Sequence, residues 1–361
     1  MSDAPLFEPQ PPELPDIWIT QDGPDRDVAV STRMRLARNL ENYHFKSRQE
    51  PEEGKLLTHF LRDTVADAAP HLKWLPMSDT TDVVRRVLFE RHLVSREHVE
   101  DDHPRGLAYS DDGTTSVMVN EEDHLRIQVF SAGLGLETLG ERVNDLDMAL
   151  ARKARFAFSE RYGYLTACPT NTGTGLRVSV MLHLPALSHR VVGKSKGDEQ
   201  GIEKVHNAAQ KLGLTVRGMH GEASRAEGDF YQISNQVTLG RTPEQAIQDL
   251  NAVLPTVIEW ERNVRRILLE ESREHLEDHV WRAWAILCNA RRMESAEAVE
   301  LLSAIRLGVT LGLMEETNLG TIHHLLVAIM PAHLQFMERR ELQPDERDMV
   351  RATLIRDTFA K

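Results

Sequence analysis

Residues 117–129 read VMVNEEDHLRIQV, and the fold of the chain is organised around this stretch. Apolar residues recur at alternate positions, which predicts a half-buried β-strand. They are Val117, Val119, Leu125, Ile127 and Val129. Three consecutive acids, Glu121, Glu122 and Asp123, interrupt the pattern. Because carboxylates are costly to bury unless a cation meets them, the stretch predicts a positively charged partner nearby.

A second stretch, residues 168–180, supplies such a partner. It reads CPTNTGTGLRVSV, a turn-forming run of Thr, Asn and Gly that opens into a short predicted strand at 176–180. Arg177 falls on the face opposite the valines of that strand. The two stretches together offer carboxylates and a cation, so a site that uses both would handle a positively charged group and an anion at once.

The composition limits the classes of function. At 361 residues, with 41% hydrophobic and 27% charged residues, the chain is long enough for one large core and a smaller appended domain. The formal net charge of −13 argues against nonspecific binding of nucleic acid or of an acidic membrane. Any anion is therefore expected to be bound by a local cluster of arginines.

The expected compartment is the cytoplasm. The chain has two cysteines, Cys168 and Cys288, far apart and without a CxxC spacing, which suits a reducing cytosol and excludes a disulfide framework or a cysteine zinc site. Residues 1–16 are acidic and proline-rich, whereas a secretory signal is basic and then apolar. No apolar run approaches the ~20 residues of a membrane span. Neither a membrane nor a nucleic acid is expected as a partner.

Residues 1–26 are predicted to be a flexible tail, because the prolines of its first part deny it regular hydrogen bonding. Residues 27–39, DVAVSTRMRLARN, then predict a strand that carries closely spaced Arg33, Arg35 and Arg38. Arg33 and Arg35 point to the same face of a strand, where two guanidinium groups repel unless an anion such as phosphate lies between them. A solvated basic edge is the alternative.

The middle of the chain mixes helical and strand patterns. Helices are predicted for residues 53–69, 82–93 and from about 136, and a β-hairpin is predicted with strand 107–109, turn 110–114 and strand 115–130. An antiparallel sheet is the consequence. The chain has neither a dinucleotide-binding fingerprint nor a P-loop, so arginines are expected to bind any phosphate.

A glycine-punctuated loop follows a predicted strand at 214–217. It reads GMHGEASRAEGD (218–229), carries Glu222, and is expected to move as an active-site lid, although a plain hairpin loop has the same glycines.

Residues 242–245 (TPEQ) carry the capping signals of a new helix, and helical periodicity follows to the end. The prediction is an α+β fold with an antiparallel sheet flanked by helices, followed by an all-helical region that begins near 245–260.

Four motifs occur in the order found in the phosphagen (guanidino) kinases: STRMRLARN (31–39), NEEDHLR (120–126), CPTNTGTGLR (168–177) and RGMHGE (217–222). The chain resembles the glutamine-synthetase-like catalytic domain of that family over residues 27–258, and is more specifically similar to its bacterial protein-arginine kinases. Residues 259–361 are then expected to form a helical C-terminal domain. The small-molecule members carry a helical N-terminal domain that helps enclose a free guanidine. In this sequence, only 26 residues precede the region that resembles the catalytic domain. An open acceptor side would suit an arginine on a protein surface.

The resemblance implies a site of two glutamates, a cysteine and five arginines. Glu122 matches the catalytic base of the family, Glu222 its second carboxylate and Cys168 its reactive cysteine. A guanidinium keeps its proton up to a pKa above ~12, so two carboxylates that grip its nitrogens are a natural means of activating it. Five arginines match those that bind the phosphates of the nucleotide: Arg33, Arg35, Arg126, Arg177 and Arg217.

The wider nucleotide site that the family implies includes neighbours of these arginines and one histidine. It comprises Ser31, Thr32, Arg33, Met34, Arg35, His92, Arg126, Arg177, Val178, Ser179, Val180, Met181, Arg217, Gly218, Met219, His220, Gly221 and Glu222. Met181 replaces a histidine of the small-molecule kinases, so apolar packing of the adenine is expected there. Glu121 and Asp123 would help order the hydration shell of Mg²⁺, a hard ion that retains several waters.

Cys168 admits two interpretations. Thr170, two residues on, would donate a hydrogen bond to its sulfur, and a neighbouring guanidinium would lower the pKa of the thiol and favour a thiolate. The alternative is a buried cysteine that acts as a small hydrophobic residue.

The C-terminal tail carries a further motif within PDERDMVRATLIRD (344–357). Arg347, Asp348, Arg351 and Ala352 match the RDxxRA motif that forms a phosphoarginine receptor in the protein-arginine kinases. Arg347 and Arg351 lie one helical turn apart, so both would meet a phosphoryl group while Asp348 takes the guanidinium end of the ligand. A solvated charged helix is the alternative.

The sequence therefore predicts an ATP-dependent kinase that phosphorylates arginine side chains of proteins, with ATP and Mg²⁺ as cofactors. The resemblance further implies marking of proteins for Clp-type proteolysis, regulation by phosphoarginine, a zinc-binding activator and a Clp ATPase as partners, and a homo-oligomer of two or more subunits. Two rivals stay open: a kinase for a free small guanidine such as arginine, and a catalytically inactive adaptor that binds phosphoarginine.

Overall fold

The computed structural model describes residues 17–188, 201–218 and 226–360. Its centre is a sheet of β1 (Ala29–Arg38), β2 (Lys73–Pro76), β3 (Gly106–Tyr109), β4 (Thr115–Val119), β5 (Leu125–Ala132), β8 (Leu176–His183), β9 (Leu214–Gly218) and β10 (Phe230–Asn235). The strand order is β2-β3-β4-β5-β1-β8-β10-β9, and every neighbouring pair is antiparallel. A separate small hairpin joins β6 (Phe158–Ser159) to β7 (Gly163–Tyr164). The expected antiparallel sheet is confirmed.

Helices flank this sheet and then form a C-terminal region of their own. They are α1 (Ile17–Thr20), α2 (Pro51–Ala68), α3 (Asp82–Glu90), α4 (Arg96–Glu100), α5 (Leu136–Ala151), α6 (Gly201–Lys211), α7 (Pro243–Glu271), α8 (Arg273–Asn289), α9 (Ser295–Thr310), α10 (Leu319–Ala328), α11 (Pro331–Glu338) and α12 (Pro344–Phe359). Within the described ranges, none of them has the length and apolar character that crossing a bilayer requires.

The two faces of the sheet differ because successive side chains of a strand point to opposite sides. One face is apolar and packs against α2, α5 and α7. Its residues include Met34, Leu36, Ile127, Val129, Val178, Val180 and Ile233, all buried. The other face of the central strands carries charged and polar side chains, among them Arg33, Arg35 and Arg177. The core therefore lies on one side of the sheet and leaves the other side for a site.

The acidic triplet lies in a turn and not within a strand. The predicted strand 115–130 is two antiparallel strands, β4 and β5, joined at residues 120–124. Asn120 adopts a left-handed φ of 57°, its N–H donates to His124 O at 2.9 Å, and Glu121 N–H donates to Asp123 O at 3.1 Å. Asparagine tolerates this conformation better than most residues, which explains why the chain reverses there.

Helix α7 begins where the capping signals indicated. The Thr242 hydroxyl accepts from Gln245 N–H at 3.2 Å, and the Gln245 side chain accepts from Thr242 N–H at 2.9 Å. The helix then runs without interruption to Glu271, so the predicted domain boundary at 258/259 falls inside a single helix. Its first part covers the sheet and its end leads into α8.

The segment before β1 packs closely against the body. The ring of Trp18 lies 5.0 Å from that of Phe130 on β5, nearly parallel to it, and both side chains are buried. The Arg26 guanidinium is also buried and donates to the carbonyls of Ile19 and Thr20. Of the predicted flexible tail, residues 17–26 are thus packed, and residues 1–16 lie outside the described part of the chain.

A buried polar network joins this segment to the sheet and to the C-terminal helices. Arg306 on α9 donates through Nη1 to His183 Nδ1 at 2.7 Å and through Nε to His323 Nε2 at 3.0 Å. His323 on α10 therefore carries its proton on Nδ1 and donates it to Ile19 O at 3.0 Å. Burial holds the pKa of both imidazoles well below the ordinary value, so they stay neutral acceptors for Arg306.

Candidate active site

Four strands of the sheet, β5, β1, β8 and β9, place arginines on its open face. Arg35 on β1 is the register partner of Arg177 on β8, and Ala37 on β1 is the partner of Arg126 on β5. Arg33 lies two residues before Arg35 and shares its face. Arg217 on β9 is opposite Gln232, which is opposite Met181 on β8. All five arginines that the sequence analysis assigned to nucleotide phosphates therefore project from one side of the sheet.

The positive charges of these arginines repel one another. Burial, followed by the charges of Arg126 and Arg177, lowers the pKa of Arg33 to about 10. The pKa of Arg35 is also held well below its ordinary value, by burial and then by Arg33 and its other cationic neighbours. Among the described residues, no acceptor lies within hydrogen-bonding reach of the buried Arg35 Nε. A polyanion on this face would relieve the repulsion.

Glu121 is committed to holding the acidic turn and one arginine. It is 1% exposed, and its Oε1 accepts from Arg126 Nη1 at 2.5 Å and from the Ser95 hydroxyl. Its Oε2 accepts from Glu122 N–H at 2.8 Å. Burial alone would raise the pKa of Glu121, but these partners hold it below the ordinary value. Glu121 therefore stays charged and orients Arg126.

Asp123 ties the turn to the loop that carries Cys168. Its Oδ1 accepts from Asn39 Nδ2 at 2.6 Å and from Ala167 N–H at 2.7 Å. Burial raises the pKa of this carboxyl, while the two hydrogen bonds act in the opposite direction. Because Ala167 directly precedes Cys168, Asp123 fixes the thiol close to the acidic turn.

Glu122 extends from the tip of the turn into a cavity of about 160 Å³. The cavity is also lined by Arg35, Arg126, Cys168, Thr170 and Arg177. Partial burial raises the pKa of Glu122, and the negative charges of Asp123 and Glu121 raise it further. Cys168 Sγ lies 3.0 Å from Thr170 Oγ1, the contact that the spacing of the two residues suggested. A carboxylate suited to accept a proton, a thiol and three cations thus share one cleft.

The described part of the chain forms no metal centre from its side chains alone. Within residues 17–188, 201–218 and 226–360, no group of three or more His, Cys, Asp or Glu side chains is arranged to hold a metal ion. Both oxygens of Glu121 already accept hydrogen bonds from protein donors. Glu121 and Asp123 are buried and border neither cavity, so their contact with Mg²⁺ through water stays a prediction.

A larger cavity of about 360 Å³ opens on the same face. Five of the predicted nucleotide contacts line it: Ser31, Arg33, His92, Ser179 and Met181. Arg33 borders this cavity and Arg35 borders the smaller one, so a single row of arginines connects them. Residues that the sequence analysis missed also line it, including Trp18, Phe130, Phe230 and Gln232.

Several predicted nucleotide contacts are positioned differently. The side chains of Thr32, Met34, Val178 and Val180 are buried on the side of the sheet away from the site, because side chains of a strand alternate. Thr32, for example, donates to Gly133 O at 2.7 Å. These four residues border neither cavity with their side chains. Gly218 ends β9, and Met219, His220, Gly221 and Glu222 lie outside the described residues.

The tail motif lies on α12, where the structure corrects one expectation. Arg351 does not present its charge at the surface: it is 2% exposed and donates to Ile329 O at 3.0 Å, to Met293 O at 2.8 Å and to Asp348 Oδ1 at 2.7 Å. Ala352 is fully buried. Arg347 is half-buried and donates to Leu342 O at 3.2 Å. Arg351 therefore ties α12 to neighbouring helices.

Two family models match consecutive parts of the chain. The C-terminal catalytic domain of the ATP:guanido phosphotransferases matches residues 54–264, and the C-terminal domain of the protein-arginine kinase McsB matches residues 273–361. A protein-arginine kinase of Halothermothrix orenii is 43% identical over 94% of this chain and 95% of its own length. One from Symbiobacterium thermophilum is 44% identical over 94% of this chain and 95% of its own length.

Solved structures share the fold. A taurocyamine kinase of Schistosoma mansoni, with bound components of a transition-state analogue, has a TM-score of 0.56 and 26% identity, over 70% of this chain and 35% of that one. A lombricine kinase has a TM-score of 0.57 and 23% identity, over 72% of this chain and 74% of that one. The sheet, the row of arginines and both family models agree: the chain belongs to the ATP:guanido phosphotransferase family and, within it, to the protein-arginine kinases.

Proposed function

We propose that the protein transfers the γ-phosphoryl group of ATP to the guanidinium group of arginine side chains in proteins. The observation that carries the proposal is the cleft in which Glu122 and Cys168 meet Arg35, Arg126 and Arg177. Relatives named protein-arginine kinases, similar over nearly their whole length, support the choice of acceptor.

The residues divide the chemistry between two ends of the open face. The triphosphate would lie along the arginine row, with its γ-phosphoryl group toward the smaller cavity. Phosphoryl transfer requires positioning and neutralisation of charge more than covalent help from the protein. A bound Mg²⁺ would supply further neutralisation on the phosphates, and Asp123 and Glu121 would contact its water shell.

Glu122 acts as the base in this scheme. It grips the acceptor guanidinium and takes one proton from the attacking nitrogen, which then forms a bond to phosphorus while the bond between phosphorus and the ADP oxygen breaks. ADP leaves with the electron pair of that bond. Its raised pKa makes Glu122 a stronger base than an ordinary glutamate. Cys168 contacts the other side of the guanidinium, and we propose Glu222 as the second carboxylate.

The decisive experiment measures phosphoarginine on a protein substrate. Wild type, Glu122→Gln and the control Glu100→Gln are incubated with ATP, Mg²⁺ and an arginine-rich unfolded protein, followed by mass spectrometry under non-acidic conditions because the phosphorus–nitrogen bond is acid-labile. Glu122→Gln should lose about 10²–10⁴-fold in rate, the usual contribution of a general base. Glu100 is exposed on α4 and borders neither cavity, so its variant should retain full activity. An unimpaired Glu122→Gln enzyme would refute the assignment.

The acceptor is tested by competition. Free arginine and an arginine-containing peptide are supplied at equal concentration, and the peptide should be phosphorylated faster. The reverse order would favour the small-guanidine kinase, and the absence of any ATP turnover would favour the inactive adaptor.

We further propose that α12 and its neighbours bind phosphoarginine, that this binding regulates the enzyme, and that phosphorylated proteins pass to Clp-type proteolysis in the cytoplasm. Support for the receptor comes from the match of residues 273–361 to the C-terminal domain of the protein-arginine kinase McsB. It also comes from Arg347 and Asp348, which are consecutive in the sequence and both partly exposed. Both cysteines are free thiols, as a reducing compartment would leave them. Binding of free phosphoarginine, measured calorimetrically on wild type and Arg347→Ala, tests the receptor directly.

A further inference from the structure

The larger cavity is lined by both charged and apolar side chains. Arg33 and Ser179 border it on the side that leads to the smaller cavity. Most of the remaining lining is apolar, with Trp18, Met181, Phe230, Leu326 and Met330 among it, and its polar members include Glu90, His92, Arg96, Gln232 and His323. A nucleotide whose phosphates follow the arginine row would therefore direct its base into the apolar part.

Much of that apolar part does not come from the sheet. Trp18 belongs to α1, Leu326 and Val327 belong to α10, and Met330 lies in the short connection after α10. Leu326 lies on α10 and Met330 two residues beyond the end of that helix, and both are partly exposed where they border the cavity. Val327 is buried behind them in a cluster with Trp18 and Phe130. The C-terminal helical region thus forms one wall of the cavity.

We infer that Leu326 and Met330, from the C-terminal helical region, form the wall against which the nucleobase of ATP packs and are specificity-determining residues for the nucleotide. This inference rests on the proposed function, because it takes the larger cavity as the nucleotide site. Flat aromatic bases bind most strongly where apolar side chains already enclose a cavity of the right size, and ~300–1,000 Å³ is the usual range for small-molecule sites.

The wall is held in place from the middle of α10 and from the start of α11. His323, one turn before Leu326, is fixed between Arg306 Nε and Ile19 O. Just after Met330, the Glu90 carboxylate accepts from Ala332 N–H at 2.7 Å and from His333 N–H at 3.0 Å, and so caps the start of α11. Glu90 itself borders the cavity at the end of α3. The C-terminal wall is therefore fixed to the same elements that carry His92 and the N-terminal segment.

The test distinguishes contacts with the nucleobase of ATP from contacts with its phosphates. The full chain and its Leu326→Ala and Met330→Ala variants are titrated calorimetrically with Mg²⁺-ATP and, separately, with inorganic tripolyphosphate. Each variant should weaken ATP binding roughly 10-fold, the effect of removing a large apolar contact, and should leave the Kd for tripolyphosphate unchanged. Met337→Ala is the matched control, because Met337 is exposed on α11 and does not border the cavity, and it should change neither Kd.

A variant that fills the cavity controls for effects of the substitutions on folding. Leu326→Trp adds bulk in the cavity and should abolish ATP binding while tripolyphosphate still binds. Unchanged ATP affinity in Leu326→Ala and Met330→Ala overturns the inference, and so does an equal loss of both ligands, which would indicate a purely structural role. The proposed function is judged by another variant: if Arg33→Ala binds both ligands as wild type does, the arginine row is not the phosphate site.

Discussion

Arg35 on β1 and Arg177 on β8 lie opposite each other in adjacent strands, with both side chains on the open face of the sheet. Cross-strand partners of like charge destabilise a sheet, so the ligand-free protein carries a cost at this position. Arg33 and Arg126 add to the repulsion on Arg35. The arrangement is explicable if a ligand with several negative charges occupies the face during function.

The first prediction concerns this repulsion. Arg35→Met removes one cation and keeps most of the stem, so the melting temperature without ligand should stay the same or rise, while the Kd for ATP should increase at least ~10-fold. Differential scanning fluorimetry and calorimetric titration check the two effects. Arg38→Met is the control, since Arg38 is buried and binds Asp147 through two contacts of 3.0 and 2.7 Å, and its loss should cost about 3–5 kcal/mol. An equal loss of stability in both variants would contradict the repulsion.

The second prediction separates adjacent glutamates of the acidic turn. Glu121→Gln should lower the stability by up to about 3 kcal/mol and raise the KM for ATP, because Arg126 loses its buried counter-charge. Glu122→Gln should leave the stability unchanged, because the side chain is exposed at the tip of the turn. Chemical denaturation together with initial rates measures both. Destabilisation by Glu122→Gln alone would reverse these assignments.

The third prediction is a pH dependence. Glu122 works as a base only when deprotonated, so kcat/KM falls as the pH drops through its pKa, and the raised pKa places this fall at a higher pH than for an ordinary glutamate. Asp123→Asn removes a neighbouring negative charge, lowers the pKa of Glu122 and should move the acidic limb to lower pH. Asp145→Asn, exposed on α5, should not move it. If the acidic limb of the kcat/KM profile stays in place in Asp123→Asn, the group that titrates there is not Glu122.

The fourth prediction concerns the thiol. Cys168→Ala should reduce kcat/KM for the arginine substrate by roughly 10²-fold, the cost of a mispositioned reacting group, and should leave the Kd for ATP unchanged. Thr170→Val removes the hydrogen bond to the sulfur and should have a smaller effect in the same direction. Loss of ATP affinity in Cys168→Ala would assign the residue to the nucleotide instead.

The fifth prediction distinguishes the two arginines of the tail motif. Arg351→Met should unfold at a markedly lower temperature, because it leaves buried carbonyls of Met293 and Ile329 without a donor. Arg347→Met should keep the stability of wild type and lose affinity for phosphoarginine. Thermal denaturation and calorimetric titration test the pair. Equal stability of both variants would mean that the network around Arg351 contributes nothing to the fold.

Residue alternation predicted the sheet and the face of its arginines, but it could not reveal the turn at 120–124. Val119 and Leu125 are six positions apart, an even number, so the apolar alternation keeps its phase whether the chain continues straight or reverses. The register that pairs Val119 with Leu125 preserves the same face in both cases. The run of Asn and acids was the local signal for a reversal.

Contacts between residues that are far apart in the sequence could not be predicted from local patterns. Helical spacing placed Arg347 and Arg351 on one helix, but the carbonyls that bury Arg351 come from distant segments. Likewise, Leu326 and Met330 have the pattern of ordinary core residues, and only the folded chain brings them beside Met181. The order of the four motifs identified Glu122, Cys168 and the arginines, because these residues lie on strands of one sheet or on the loops beside them.

The hydrogen bond from His323 to the carbonyl of Ile19 joins positions 304 residues apart. While the polypeptide is still on the ribosome, α1 has no docking partner in α10 until α10 itself has been synthesised. Every strand of the sheet is synthesised earlier. Completion of the larger cavity is therefore a late event in biosynthesis, and an unfinished chain exposes its arginine row without the enclosure that the mature protein provides.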